Sequence, residues 1–153
     1  MKKIIEVMAM VMVILMSLNG LVFAGNKATI TVSATVMAKV SQNVIHQVSS
    51  INVTEGDIKR GFIEIPSGTI LQIKTNSRNG YTLHFEGENE LFKEVTVMDK
   101  GRATILSSGR GFIHQTNSGG NAEVKDLSYK LLLNENIQSG SYSWPFRVKA
   151  SLL

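Results

Sequence analysis

Tyr142-Ser143-Trp144-Pro145-Phe146-Arg147-Val148-Lys149-Ala150-Ser151-Leu152 places an apolar side chain at every second position, with small or charged residues between them. The same rhythm runs near the other end of the chain. There Ile30, Val32, Ala34, Val36, Ala38 and Val40 alternate with Thr31, Ser33, Thr35, Met37 and Lys39. Successive side chains of a strand point to opposite faces, so this period marks strands with one face in a core and one in water. On this reading Tyr142, Trp144, Phe146 and Val148 form the inward row of a terminal strand, with Leu83, Phe85, Tyr129 and Leu131 among its core neighbours. Residues 28–40 form either a first strand paired in cis or a strand offered to another subunit.

Between the two ends the chain reads as β almost throughout. Strands are expected at residues 44–48, 58–65, 69–74, 81–86, 91–98, 103–106, 111–115 and 127–133. Pro66-Ser67-Gly68, Lys100-Gly101 and Ser139-Gly140 supply turn chemistry, and Asn79-Gly80 favours the positive φ of a tight hairpin. Residues 42–52 read as a short linker, and no window carries a helical stripe outside the first 24 residues. Short strands separated by Gly, Asn and Ser turns at roughly ten-residue spacing point to a single β-sandwich or small barrel. The recurrence of Arg60-Gly61-Phe62-Ile63 as Arg110-Gly111-Phe112-Ile113 is too short to mark a duplication.

Residues 1–24 read as an export signal. Lys2 and Lys3 give a positive start, residues 7–18 are apolar, and Val22-Phe23-Ala24 ends on small residues suited to cleavage. The apolar run is shorter than the ~20 residues that span a bilayer, so no stable membrane insertion is expected after cleavage. Residues 25–153 are then one domain, exported through a periplasm to the surface or medium. The chain has no cysteine, so stability rests on the core without disulfides. Its net charge of +4 falls to +3 when Lys2, Lys3 and Glu6 leave. The basic residues form no stripe, which speaks against nucleic acid as a partner.

Signals of chemistry are weak, and no enzyme, catalytic residue, cofactor or metal is expected. His46, His84 and His114 are far apart in sequence, without a carboxylate or second histidine at ligand spacing. No nucleophile elbow, phosphate loop or dinucleotide fingerprint occurs. Glu86, Glu88, Glu90 and Glu94 read as a solvated acidic turn, since no calcium-loop pattern accompanies them. Asn52-Val53-Thr54 fits a glycosylation sequon, which matters only in a glycosylating host.

The run Gly140-Ser141-Tyr142-Ser143-Trp144-Pro145-Phe146-Arg147-Val148-Lys149-Ala150 resembles the closing motif of chaperone–usher pilins and of spore coat protein U domains. The alternating residues 28–36 resemble the N-terminal segment of such subunits. The likeness covers the two ends of the chain and departs from the family in lacking a disulfide near the first strands. It implies an immunoglobulin-like antiparallel sandwich that lacks its final strand and forms a fimbrial, adhesion-related surface fibre. Copies of the chain or sister subunits would fill the gap by β-strand addition, with a periplasmic chaperone and an outer-membrane usher as assembly partners. Ile30, Val32, Ala34, Val36 and Ala38 would be the inserted row. The alternative is a free-standing extracytoplasmic module that recognises glycan or another surface ligand through Trp144 and the loops at 76–79 and 117–121.

Overall fold

The computed structural model describes residues 7, 8, 10–12, 32–87, 91–107, 109–116 and 121–153. Most of the expected export signal lies outside them. Val7, Met8 and Met10 to Met12 are helical and exposed, and residues 32–35 carry no regular structure. Among the described residues, no helix is long and apolar enough to cross a membrane.

Residues 36–153 form an antiparallel all-β sandwich. Its strands are β1 (Val40–Gln47), β2 (Ser50–Val53), β3 (Phe62–Thr75), β4 (Tyr81–Gly87) and β5 (Phe92–Asp99). They continue as β6 (Arg102–Ser107), β7 (Gly111–Gln115), β8 (Glu123–Leu133), β9 (Gly140–Ser143) and β10 (Phe146–Leu152). A short helix, α1 (Glu55–Arg60), follows β2. Five strands form one sheet in the order β1-β3-β8-β5-β6, three form a second in the order β10-β4-β7, and β2 pairs with β9. The inward rows meet in one cluster that includes Leu71, Ile73, Leu83, Phe85, Val95, Val97, Leu127, Tyr129, Leu131 and Phe146. Burial pushes the Tyr129 phenol up to about 12 despite its bond to Thr69 Oγ1 at 2.9 Å.

Three local expectations are corrected. Residues 58–60, expected to open a strand, belong to α1. Thr54 caps that helix: its hydroxyl accepts from Asp57 N while the Asp57 carboxylate accepts from Thr54 N, a reciprocal capping box. Gly61 closes it at φ 78°, whereas Gly111 lies in a strand, so the two Arg-Gly-Phe-Ile segments have different structures. Pro66-Ser67-Gly68 does not end a strand either. It is a bulge within β3, where the register against β8 shifts between Ile65 and Thr69, a place that tolerates proline's missing N–H. Gly68 also clears space for aromatic rings, since a Cβ there would lie 2.8 Å from Tyr129 and 3.0 Å from Trp144. The supposed linker at 42–52 is mostly β1 and β2.

Of the expected segment 28–40, residues 28–31 lie outside the described residues. Residues 32–39 form no strand, and β1 begins only at Val40. The partner sets this limit. Val40 pairs with Thr75, the last residue of β3, after which the chain turns through residues 76–80 into β4. Asn76 finishes the edge: its Oδ1 accepts from Lys39 N at 2.6 Å and its Nδ2 donates to Met37 O at 3.0 Å. At the far end of the turn Gly80 takes φ 91°, as the Asn-Gly pair predicts, and a Cβ there would lie 2.0 Å from the Gln115 carbonyl oxygen.

The capping box makes a pH-dependent contribution. Hydrogen bonds from the Thr54 hydroxyl and backbone, with the Arg60 ion pair, hold the Asp57 carboxyl at about 2. A carboxyl lowered in the folded state stabilises above its ordinary value, and that contribution is lost as pH falls toward 2. Thermal melts from pH 5 to 2 should therefore fall less steeply for Asp57→Asn than for wild type. Identical slopes would show that the box adds nothing to acid sensitivity.

Candidate functional site

The sandwich closes differently along its two sides. Along one, β6 and β7 are joined by a tight connection in which Arg110 N donates to Ser107 O at 3.0 Å. Along the other, β1 and β10 are both edge strands that face each other. Their extensions are paired, since β2 and β9 form an antiparallel ladder from Ser50–Ser143 to Val53–Gly140 and Trp144 N donates to Ser49 O at 2.9 Å. Beyond that point the main-chain ladder stops and glutamine side chains span the gap. Gln47 Nε2 donates to Phe146 O at 3.1 Å. Gln42 does more: its Nε2 donates to Val148 O at 2.8 Å and its Oε1 accepts from Ala150 N at 2.6 Å. One side-chain amide thus stands where the peptide group of a neighbouring strand would stand.

Of the residues expected at a subunit interface, Val32, Ala34, Val36 and Ala38 lie outside any strand. Ile30 is outside the described residues. Val32 is 84 % exposed and Val36 80 %, and Ala34 and Ala38 are also exposed. Among the described residues, Val32, Ala34, Val36 and Ala38 pair with no strand. The terminal row divides instead. Phe146 is 1 % exposed and Val148 is buried, while Tyr142 and Trp144 are half-buried at the core's margin. Trp144-Pro145 interrupts the expected single strand and separates β9 from β10.

Trp144 meets Tyr129 edge-on at 5.0 Å and Phe146 at 5.4 Å, so much of its surface is core. It also lines an outer cleft of about 590 Å³ with Glu86, Gly87, Arg110, Pro145 and Arg147. Its Nε1 is buried without a hydrogen-bond partner among the described residues. Glu86 is occupied by Lys149 Nζ at 3.0 Å, whose hydrogen bond holds the carboxyl below its ordinary range. The loop at 76–79 joins the Tyr81 end of β4, whereas Trp144 packs near its Gly87 end, a strand length of ~20 Å away. Most of the loop at 117–121 is outside the described residues. The structure therefore does not bring Trp144 together with the loop at 76–79.

His84 and His114 come onto one outer face, either side of the exposed Phe112, with ring centroids 6.5 and 4.9 Å from it. His46 stands on β1, exposed. Among the described residues, no three His, Cys, Asp or Glu side chains are placed to hold a metal ion.

A further cluster escaped the sequence reading. Lys125 Nζ donates to Asp99 Oδ2 at 3.1 Å, to Glu123 Oε1 at 3.0 Å and to Gln115 Oε1 at 2.8 Å. The Lys125 and Asp99 side chains are only 4 % and 8 % exposed. Gln115 Nε2 donates to Asp99 Oδ2 at 3.0 Å, and Asp99 Oδ1 is buried with no partner among the described residues. Tyr81 Oη donates to Glu123 Oε2, and Lys100 Nζ to Glu123 Oε1. Burial raises the Glu123 carboxyl, but the donors Lys100, Lys125 and Tyr81 outweigh it and hold the group below its ordinary range. Burial, then the Glu123 charge, raises the Tyr81 phenol. A signal for this cluster was present. Projecting the inward row Leu133, Leu131, Tyr129 and Leu127 back by twos puts Lys125 and Glu123 inside, and Val95, Val97 leads to Asp99.

Comparison with protein-family models, with curated proteins and with solved structures finds no match to this chain.

Proposed function

We propose that this chain is the structural subunit of an exported, pilin-like surface fibre whose copies assemble by β-strand addition. The observation that carries the reading is the β1–β10 seam, where two facing edge strands are bridged by glutamine side chains in place of a ladder. An added strand would exchange those side-chain bonds for main-chain ones and remove an exposed edge from water. The chain also carries a suitable donor, because residues 32–38 expose alternating apolar side chains outside any strand. Burying Ile30, Val32, Ala34, Val36 and Ala38 in a neighbour would contribute about 5–8 kcal/mol at ~25 cal/mol per Å², before the cost of ordering.

Val32→Asp tests the reading, with Thr31→Asp on the opposite face as control. A buried unpaired charge is strongly unfavourable, so Val32→Asp should abolish polymers in sedimentation and electron microscopy. The monomer's thermal transition should be unchanged, and Thr31→Asp should still polymerise. An unfolded Val32→Asp monomer, or strong hydrogen-exchange protection of 30–38 in dilute wild type, would instead make the segment part of its own sandwich. The second reading, a glycan-binding module, draws on the cleft beside Trp144. Micromolar glycan binding by a monomer, lost in a folded Trp144→Ala variant, would favour it.

A further inference from the structure

We propose that Lys125 and Asp99 condense into a side-chain amide, an intramolecular isopeptide bond, with Glu123 carrying a proton. The inference holds whether or not the chain assembles. Two charged side chains are buried at the ends of rows whose other buried members are Leu and Tyr in β8 and Phe and Val in β5. A buried ion pair commonly gains nothing over apolar residues of similar volume, because both ions lose their hydration. An ionised Asp99 would further keep Oδ1 buried without a donor among the described residues. Condensation removes both charges and leaves Oδ1 as an amide carbonyl oxygen, whose burial costs far less than that of a carboxylate oxygen.

The neighbours fit the steps. Lys125 Nζ already touches the carboxyl at 3.1 Å, and attack on its carbon needs an approach of ~3–3.5 Å. One proton passes along the Nζ–Oδ2 hydrogen bond, which turns ammonium and carboxylate into amine and carboxylic acid. The nitrogen lone pair then attacks Cγ and the C–N bond forms. Glu123 Oε1, 3.0 Å from Nζ, accepts a second proton from the nitrogen and returns it to the departing oxygen. The Cγ–Oδ2 bond breaks and water leaves, with both of its protons drawn from Nζ. No oxidant or further reactant is needed. Gln115 is a positioning residue: its Oε1 holds the amine at 2.8 Å while its Nε2 holds Oδ2 at 3.0 Å.

The product would tie β5 covalently to β8 and enclose β6 and β7 in the closed loop. A chain without cysteine would so gain a staple that survives reduction. Such a cross-link stabilises chiefly by restricting the unfolded chain.

The test is mass spectrometry of the purified wild-type chain after proteolysis. The expected result is a joined peptide containing Asp99 and Lys125, lighter than its two parts by one water. The Glu123→Gln variant, shown to be folded by circular dichroism, should form the bond at least ~100-fold more slowly, the usual range for a lost general acid–base group. Separate peptides of full mass from folded wild-type protein would overturn the proposal, as would a water loss mapped to other residues. Bond formation by Glu123→Gln at the wild-type rate would remove Glu123 from the mechanism.

Discussion

Phe146→Ala should abolish soluble accumulation of the folded protein. The ring is 1 % exposed, stacks on Tyr129 at 5.7 Å with planes 3° apart, and meets Trp144 edge-on and Phe92 at 6.2 Å. Phe146 also sits opposite Gly87 in the β10–β4 ladder, where a Cβ would lie 2.8 Å from its ring. The loss would therefore open a cavity lined by rigid aromatics. Removing a buried Phe side chain costs ~3–5 kcal/mol, against a total stability of ~5–15 kcal/mol. Three residues along the same strand, Lys149 has a side chain 63 % exposed and pairs with the exposed Glu86. Lys149→Ala should change stability by less than ~0.5 kcal/mol. Soluble yield and urea midpoints measure both, and equal midpoints would contradict the inward placement of Phe146.

The second large effect is expected at Lys125. Lys125→Met leaves the Asp99 carboxylate buried without its cation, and breaking one side of a buried pair costs ~3–5 kcal/mol. Glu123 keeps Lys100 as a partner, so Asp99 carries most of the loss. Adding Asp99→Leu removes the stranded charge, and the double variant should be more stable than Lys125→Met alone by most of that ~3–5 kcal/mol. Neither variant can form the proposed amide, so the comparison between them isolates the buried charge. Denaturant midpoints of the two variants give the answer. A double variant no more stable than the single one would show that Asp99 is not the group left uncompensated.

Several local features were legible because they depend on near neighbours alone. The Asn79-Gly80 turn takes its positive φ, and the alternation of Leu83 and Phe85 with Thr82, His84 and Glu86 marks β4. Helix α1 was legible in principle, since Thr54 and Asp57 have capping-box spacing and Gly61 stands at its end. Six residues are too few to show an apolar period, so the caps were the only signal. The division of the terminal row was less accessible. Trp144-Pro145 alternates correctly with its neighbours, yet β9 pairs with β2 and β10 with β4, so the row changes partners there.

The sequence by itself determined the fold class, because period-two alternation with Gly, Asn and Ser turns is a local property that dictates strands, and because cores select the apolar face. Tertiary structure alone decided which strands are edges and what meets them. Alternation says that residues 28–40 suit a strand but not whether a partner remains for them. That answer lies in β3, which ends at Thr75 and so leaves residues 32–39 outside any strand. The same holds for the glutamine bridges across the β1–β10 seam and for the meeting of Lys125 with Asp99 and Gln115. Each joins strands distant in sequence, through hydrogen bonds whose partners only the folded register brings within reach.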